Sequence, residues 1–402
     1  MGYGQAMQLA TTLAANHSPG GHAAWLRDCW YVIAWTHEIP PADSPDLFHR
    51  TVLGEPILVY RLAEAAGHFG SSDGAVNVAN AQGGQLVALE DRCCHRLAPL
   101  HKGQREGDCV RCGYHGLKFN PQGVCVEAPG IPIVPEKARV QTYPVAVKNN
   151  WVFVWMGDPA LADEALLPDN FSNAHPDWQN KPGYMHYDTP YLLICDNLLD
   201  FSHLSFVHAS TLGGSPMIAQ AVPVMEKTLD THGLQNGIRV TRRVPNVPAP
   251  PFYQRFRKFD EMLDRWFIYD FVLPGTLLMQ SGGRPVSDAP DDLRRAVQLH
   301  SCQTLTPETE TSTHYFFQQS HYLRKEGGGG LDEASAASVT DSIFNSLIGA
   351  FNEDRDMIRA QHAVIQLDPD APMLPLAMDS ALIQFRRLLQ TRLDVETRRL
   401  GC

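Results

Sequence analysis

The chain has 402 residues and a formal net charge of −11, and 44% of its residues are hydrophobic, as in ordinary globular proteins. This length exceeds one ordinary hydrophobic core, so two or three domains are expected. The acidic balance offers no basic surface for nucleic acid, and the odd number of cysteines, nine, argues against a disulfide framework and for reduced thiols.

Residues 1–23 are small, polar and rich in glycine, which predicts a poorly ordered leader. No Lys or Arg precedes Arg27, so the basic region of a signal peptide is not expected. The most apolar run, residues 266–279, is interrupted by Asp270 and Pro274 and is not expected to span a membrane. A soluble, cytoplasmic protein is the expectation.

Short β runs follow from Trp25 onward and are separated by glycine and proline. They cover residues 52–60, 86–90, 117–119, 124–126 and 151–155. This pattern predicts a small antiparallel β domain over residues 24–159, which the Gly-Asp-Pro sequence at 157–159 closes.

Two mixed pairs of metal-binding residues lie in this domain. Cys93 and His95 have one residue between them, and sixteen residues later Cys112 and His115 have two. This is the arrangement of a Rieske 2Fe-2S centre, in which the two thiolates bind one iron and the two imidazoles bind the other. A zinc site is the alternative, but zinc pairs are typically separated by two to four residues, which favours the Rieske cluster.

The sequences around both pairs, residues 91–100 and 111–117, resemble the Rieske domain of ring-hydroxylating and O-demethylating oxygenases. Cys94 departs from that family, which usually has proline there, and is interpreted as a packed spectator thiol. Ala98 and Tyr114 stand where respiratory Rieske proteins form a disulfide. The resemblance therefore implies the lower-potential type of cluster that supplies an oxygenase.

Residues 160–402 combine longer strands with helical segments. Strands are predicted at 265–273 and 314–321, and loops at 244–251, 281–292 and 327–330. The predicted fold class is α+β, with the antiparallel β Rieske domain followed by a catalytic domain in which helices flank an antiparallel sheet.

A second motif comprises Asn197, Asp200, His203 and His208. On a regular helix the two histidines would lie about 140° apart, so a shared metal requires a π-bulge or a helix end between them. Asp200 and His203 are three residues apart and can touch directly. Two histidines at this spacing are weak evidence of a metal site by themselves.

This segment resembles the corresponding motif of Rieske oxygenases, which bind a mononuclear non-heme Fe(II) through two histidines and a later carboxylate. The resemblance implies that His203 and His208 are iron ligands and that Asn197 lies near the iron. It also implies that Asp200 bridges a ligand histidine to the cluster of a neighbouring subunit. A site with two histidines and one carboxylate leaves coordination positions open for O2.

The third ligand is predicted from helical periodicity. One stripe has a spacing of three or four residues, with Asp354 and Gln361 at two of its steps and apolar residues at the others, which are Phe344, Leu347, Phe351, Ile358 and Ile365. Asp354 falls on this stripe, whereas Glu353 and Asp356 fall off it and need no partner. A carboxylate on an apolar face requires an ion pair or a metal, so a buried helix salt bridge is the alternative interpretation of Asp354. The local sequence also resembles the third-ligand segment of the family.

Over residues 25–362 the chain resembles the oxygenase α subunits of the branch containing vanillate O-demethylase and the phthalate and phenoxybenzoate oxygenases. The resemblance implies a terminal oxygenase that forms a homotrimer and acts with O2 on a methoxylated or carboxylated aromatic substrate. The chain has no dinucleotide-binding glycine motif and no plant-type ferredoxin spacing. A separate NAD(P)H-dependent reductase of the flavin and ferredoxin type is therefore expected.

The implied electron path runs from the cluster through His115 and Asp200 to the iron. In a demethylase the methyl group is hydroxylated, and the hemiacetal collapses to a phenol and formaldehyde. Ring dihydroxylation, a Rieske electron carrier and a zinc-binding protein are the alternatives, although a carrier would not need the second ligand set. Arg255, Arg257 and Arg265 are candidates for binding a substrate carboxylate or, alternatively, surface residues.

Overall fold

The structure is a computed structural model and describes residues 25–63, 84–208, 216–250, 252–256, 258–323 and 333–401. The predicted leader, residues 1–23, and the predicted loop 327–330 lie outside these ranges. The chain divides into two compact units, one comprising Arg27–Leu167 with Thr306–Thr309 and the other Pro168–Leu305 with Glu310–Cys402. Within the described residues, no helix has the length and hydropathy that a membrane span requires.

The first unit consists of short antiparallel strands. Its described strands are β1 Trp30–Trp35, β2 Phe48–Val52, β3 Glu55–Arg61, β4 Leu86–Glu90, β5 Gln104–Glu106, β6 Cys109–Arg111, β7 Lys118–Phe119, β8 Cys125–Glu127, β9 Thr142–Tyr143, β10 Val145–Lys148 and β11 Trp151–Trp155. They form three sheets with the orders β1-β11-β10, β2-β3-β4-β9 and β5-β6-β7-β8. Short 3-10 helices at Thr36–Glu38, Leu100–Lys102, Pro159–Leu161 and Glu164–Leu166 connect them.

The single strand predicted over residues 52–60 is wrong, because this run is a hairpin. β2 ends at Val52 and β3 begins at Glu55, and the two residues between them have positive φ, 51° at Leu53 and 73° at Gly54. Two successive residues with positive φ form a turn that matches the right-handed twist of paired strands. Leucine rarely adopts such a conformation; here its N–H donates to the carbonyl of Pro307 at 2.8 Å, within the same unit.

The second unit is built on one eight-stranded antiparallel sheet. Its strands are β12 Trp178–Gln179, β13 Gly183–Tyr187, β14 Val224–Leu229, β15 Gln235–Val247, β16 Leu263–Val272, β17 Thr276–Pro285, β18 Val297–Thr309 and β19 Ser312–Tyr322. The order is β12-β19-β18-β17-β16-β15-β14, and β13 also pairs with β19. The described helices are Tyr191–Leu199, Pro216–Gln220, Glu333–Leu367 and Ser380–Leu400, with 3-10 helices at Phe171–Asn173, Phe201–Ser205, Tyr253–Arg255 and Ala377–Asp379.

Aromatic contacts attach two of these helices to the sheet. Phe351 of the long helix Glu333–Leu367 lies 4.8 Å, ring to ring, from Phe317 of β19. The ring of Phe385 in the C-terminal helix lies 4.7 Å from that of Phe271 in β16. Such pairs add to the burial of apolar area that holds a helix against a sheet. The predicted fold class, an antiparallel sheet flanked by helices, is confirmed.

Two predicted loops are partly strand. β15 continues through Val247, and a register shift between Val244 and Val247 accommodates the proline that suggested a loop. β17 continues through Pro285 across Gly282 and Gly283. A Cβ at Gly282 would lie 2.4 Å from the ring of Trp266. Glycine at this position leaves space for the side chain of Trp266, and it does not mark a turn.

Candidate functional site: two metal centres

The two loops of the predicted cluster have the same backbone design. The N–H of Leu97 donates to the carbonyl of Cys93 at 2.9 Å, and the N–H of Gly116 donates to that of Cys112 at 3.0 Å. Each cysteine N–H in turn donates to the residue five positions later, at 2.8 Å in both loops. The fourth residue after each cysteine has positive φ, 57° at Leu97 and 76° at Gly116. Two equivalent turns thus present one cysteine and one histidine each.

The cysteine and histidine side chains that the two loops present lie in different environments. Cys93 and Cys112 belong to one buried apolar cluster, whereas His95 and His115 are exposed, with ring centroids 4.6 Å apart. Burial raises the pKa of the Cys93 thiol, so a thiolate there requires a cation to compensate it. Partial desolvation of the exposed ring and the nearby His95 and Arg96 lower the pKa of His115, which favours the neutral imidazole that binds metal. This donor set fits a Rieske cluster.

Two side chains brace these loops. Asp91 is buried and accepts hydrogen bonds from the backbone and ring of His101, beside the first loop. Arg111 donates to the carbonyl of Gly116 at 2.7 Å and forms ion pairs with Glu106 and Glu127, beside the second loop. The expectation that Cys94 is packed is wrong, since its side chain is exposed.

The second motif lies where a helix ends. The helix Tyr191–Leu199 stops at Asp200, whose carboxylate accepts the N–H of Ser202 at 2.9 Å and so caps the 3-10 helix Phe201–Ser205. That short helix ends before His208, and the predicted helix end between the two histidines is confirmed. The break turns both rings toward one point, and their centroids lie 5.2 Å apart.

Asp354 meets these two histidines from the long helix. Its Oδ1 lies 3.1 Å from Nε2 of His208 and 3.6 Å from Nε2 of His203, and one ligand atom of each residue lies within 4.8 Å of the others. Tyr187 of β13 donates to the carbonyl of Phe351 at 2.6 Å, which holds the helix one turn before Asp354. The carboxylate is 5% exposed, and His208 is 1% exposed. The three side chains can hold one metal ion.

Hydrogen bonds set the tautomers of both rings. Nδ1 of His203 donates to the carbonyl oxygen of Asp200, because a carbonyl can only accept. Nδ1 of His208 lies 2.8 Å from a carboxylate oxygen of Glu353. Both Nε2 lone pairs therefore point toward Asp354, as metal binding requires. Burial lowers the pKa of His208, but the carboxylates of Asp354 and Glu353 raise it by more, which shows how strongly this site favours positive charge.

The structure places the remaining predicted residues around this triad. Asn197 donates from Nδ2 to Oδ1 of Asp354 at 3.1 Å and so lies at the site. Asp200 touches His203 through its carbonyl, while its carboxylate accepts from Ser202. The expectation that Glu353 needs no partner is wrong, since it orients His208. In the sequence, the signal for this role was the position of Glu353 next to the predicted ligand Asp354, because metal-binding histidines usually donate their second N–H to a carboxylate or carbonyl.

A cavity of about 140 Å³ opens on the triad. This is on the order of the space that one benzene molecule fills. Its lining is mostly apolar and includes Phe201, Phe267, Leu277, Met279, Leu299, Ile343, Leu347 and Phe351. Arg265 and Gln319 also line it, and the side chains of Arg255 and Arg257 lie outside the described residues.

Known proteins share both halves of this chain. Residues 29–144 match the family described as Rieske [2Fe-2S] domain, and residues 187–394 match the vanillate O-demethylase oxygenase C-terminal domain. The chain is 43% identical over 375 residues to the iron-sulfur subunit of a toluene-4-sulfonate monooxygenase system of Comamonas testosteroni, which covers 92% of this chain and 98% of that one. It is 30% identical over 380 residues to a vanillate O-demethylase oxygenase subunit of Pseudomonas sp., covering 92% and 95%.

Solved structures agree with these matches. The crystal structure of dicamba monooxygenase bound to dicamba superposes with a TM-score of 0.74 at 25% identity, covering 93% of this chain and 99% of that one. The expected Rieske 2Fe-2S cluster is confirmed by the family match, and the triad of His203, His208 and Asp354 fits the expected mononuclear non-heme iron. The chain therefore belongs to the Rieske oxygenases, as an oxygenase component with a vanillate O-demethylase C-terminal domain.

Proposed function

We propose that this oxygenase component hydroxylates a methyl or methoxy group on a substrate with a single aromatic ring, releasing formaldehyde when that group is methoxy. The observation that carries this proposal is the apolar cavity of about 140 Å³ that opens on His203, His208 and Asp354. Iron bound by two imidazoles and one carboxylate supplies the activation of O2. The apolar lining supports the proposal, because it orients a ring and limits water around the reacting group.

Each residue of the triad has a proposed role. His203 and His208 would bind iron through Nε2, and Asp354 would bind it through its carboxylate. Glu353 would hold the ring of His208 in place, and Asn197 would hold the carboxylate of Asp354 through its 3.1 Å hydrogen bond. The short distances between these side chains support a site that is assembled before substrate arrives.

Electrons are proposed to reach the triad from the cluster of another subunit in a homotrimer, with Asp200 as the link. Exposed apolar side chains around the cluster histidines support this, and they include Leu97, Tyr114, Ile131 and Ile133. Near Asp200, Phe206 is 81% exposed, and Met378, which accepts a hydrogen bond from Ser202, is also exposed. Exposed apolar patches of this kind mark protein interfaces, and two different patches on one chain allow a closed ring.

The proposed electron donor and the proposed cellular location follow from the chemistry of the cluster and of the cysteines. A separate NAD(P)H-dependent reductase would reduce the cluster, one electron at a time, because a Rieske centre accepts single electrons. A cytoplasmic location is supported by the cysteines, since none of those that the structure describes forms a disulfide.

Turnover with a surrogate reductase tests this function. The purified protein would be mixed with reductase, NADH and O2 and given paired methoxylated and unsubstituted aromatic acids. Formaldehyde equal to the substrate consumed is expected only from the methoxylated member, and His208→Ala should abolish it while retaining the Rieske absorption spectrum. A cis-dihydrodiol product from the unsubstituted acid would instead establish ring dihydroxylation.

A further inference from the structure

One charged side chain in the cavity stands on an apolar strand face. β16 alternates buried and half-buried positions, and Arg265 occupies a buried position between Leu263 and Phe267. It is 8% exposed. Its guanidinium carbon lies 4.9 Å from the ring centre of Tyr253 and 5.1 Å from that of Phe267. The charge is thus fixed in position by two aromatic rings in the wall of the cavity.

No carboxylate among the described residues pairs with this arginine. The other buried arginines have acceptors, for example Arg386, which binds Asp196, and Arg242, which donates to backbone carbonyls. The Nε of Arg242 is buried without a partner, as is the Nε of Arg265, but Arg265 has no hydrogen bond from its other nitrogens either within the part of the chain that the structure describes. A buried cation without a partner is costly, so this arrangement calls for an anion.

A second unpartnered donor lines the same cavity. Gln319 of β19 is 7% exposed, and its Nε2 makes no hydrogen bond to any described residue. Arginine and amide N–H groups are both good donors to an oxyanion. Gln319 stands on β19, three strands from β16 in the sheet order, so it is a separate polar point in the cavity wall.

We infer that Arg265 forms an anion-binding subsite in the wall of the cavity, and that it binds the single carboxylate or sulfonate of an aromatic substrate. This inference rests on the proposed function and extends it to the substrate class. The guanidinium would bind the oxyanion while the apolar lining holds the ring, so the charge selects and orients the substrate without taking part in the oxidation. Arg265 is therefore a specificity residue.

The neighbouring strand β17 leaves space for this subsite. Gly283 of β17 pairs with Arg265, and a Cβ there would lie 2.9 Å from the ring of Tyr253 and 3.3 Å from Cγ of Arg265. Glycine at 283 thus leaves the space in which the arginine and its flanking tyrosine lie. Gly283→Ala is expected to displace them and weaken anion binding without altering any charge.

Ligand binding to the intact iron-loaded protein tests the inference. Calorimetry would compare 4-methoxybenzoate and toluene-4-sulfonate with the uncharged 4-methylanisole. Both anions should bind the wild-type protein, and 4-methylanisole should bind at least about 30-fold more weakly, since it leaves the buried donors unpaired. The tighter of the two anions identifies the carboxylate or the sulfonate as the preferred group.

Substitutions separate this role from a structural one. Arg265→Met should weaken anion binding by about 100-fold, and Arg265→Lys should weaken it by less. The control is Arg239→Met, which removes an arginine paired with Asp270 on the neighbouring strand and should leave anion binding unchanged. Without ligand, Arg265→Met should raise the Tm by about 2–4 °C, because an unpaired buried charge is removed. A structural arginine would give a lower Tm.

Two results would overturn the inference. One is binding of the anions to Arg265→Met as tight as to the wild-type protein, and the other is failure of both anions to bind the wild-type protein. If the anions bind through Arg265 but are not oxidised when reductase and O2 are supplied, the proposed function fails and the subsite stands.

Discussion

At the scale of single residues, the iron site depends on an acid that helical periodicity singles out. Asp354 is 5% exposed on the long helix, whereas Asp356, two residues on, is exposed and pairs with Arg359 at 2.9 Å. The neighbouring Glu353 reaches His208 from the edge of the buried face. Three acids within four residues therefore have three different environments, which allows their roles to be separated by substitution.

Asp354→Ala should lose the mononuclear iron and all oxygenation while the Rieske spectrum remains, because the cluster lies in the other unit. Asp356→Ala is the matched control and should bind iron normally, since an exposed ion pair contributes only about 0–1 kcal/mol. Iron per chain, measured by plasma emission, and the visible spectrum would decide. Loss of iron in Asp356→Ala but not in Asp354→Ala would contradict the assignment of the third ligand.

Glu353→Gln keeps a hydrogen-bond acceptor for Nδ1 of His208 but removes the charge. Because outer carboxylates orient ligand histidines and raise their basicity, iron affinity should fall by about 10- to 100-fold. Competition with a chelator would measure this, with Asp356→Asn as the control. Equal affinity in Glu353→Gln and wild type would show that the 2.8 Å contact has no effect on the metal.

At the scale of elements, the cluster depends on two turns with one backbone design and different residues at the position of positive φ. Glycine occupies it in the second loop and leucine in the first. Left-handed backbone costs a non-glycine residue about 1 kcal/mol, so the leucine carries strain that the glycine does not. Leu97 is also exposed, so little packing is lost if it is changed.

Gly116→Ala should therefore lower the Tm and the cluster content, because it adds the left-handed cost and places a Cβ 2.9 Å from Cγ of Pro129. Leu97→Gly should change stability by less than about 0.5 kcal/mol, since the relieved strain offsets the added freedom of the unfolded chain. Thermal unfolding and iron-to-sulfide ratios test the pair. If both variants lose the cluster equally, backbone conformation is not what distinguishes the two loops.

At the scale of the whole molecule, the two metal centres lie in separate units, and the proposed route for electrons runs between subunits. Asp200 stands at the end of the helix Tyr191–Leu199, and its carbonyl orients His203. Exposed apolar side chains lie near it and also near the cluster histidines. These features support transfer between subunits of a trimer.

Asp200→Asn should retain both irons and substrate binding, because an asparagine oxygen can still accept the N–H of Ser202. Electron transfer from the reduced cluster should fall by orders of magnitude if the carboxylate links the centres. Stopped-flow oxidation of the reduced cluster by O2 with substrate would measure this, with the exposed Asp188→Asn as control. Transfer at the wild-type rate in Asp200→Asn would eliminate the bridging role.

Local patterns in the sequence were sufficient to predict the cluster ligands and Asp354, whereas His203 and His208 were predicted as metal ligands from the family resemblance. The offsets between Cys93 and His95 and between Cys112 and His115 restrict the ligand chemistry through covalent spacing alone. The place of Asp354 on an apolar stripe follows from the 3.6-residue period, and so does the need for a helix end between His203 and His208. These predictions needed no tertiary information, because each depends on neighbours within a few turns of chain.

Tertiary structure decided what depends on residues far apart in the chain. Glu353 orients a histidine 145 positions away, and nothing in its local pattern names that partner. The hairpin at Leu53 is permitted by a hydrogen bond to Pro307, which no local turn signal encodes. Arg265 interrupts an apolar alternation visible in the sequence, but whether an acid neutralises it depends on which strands and helices surround it. Pairing and burial of charge are properties of the packed molecule, and here they underlie the proposed selection of an anionic substrate.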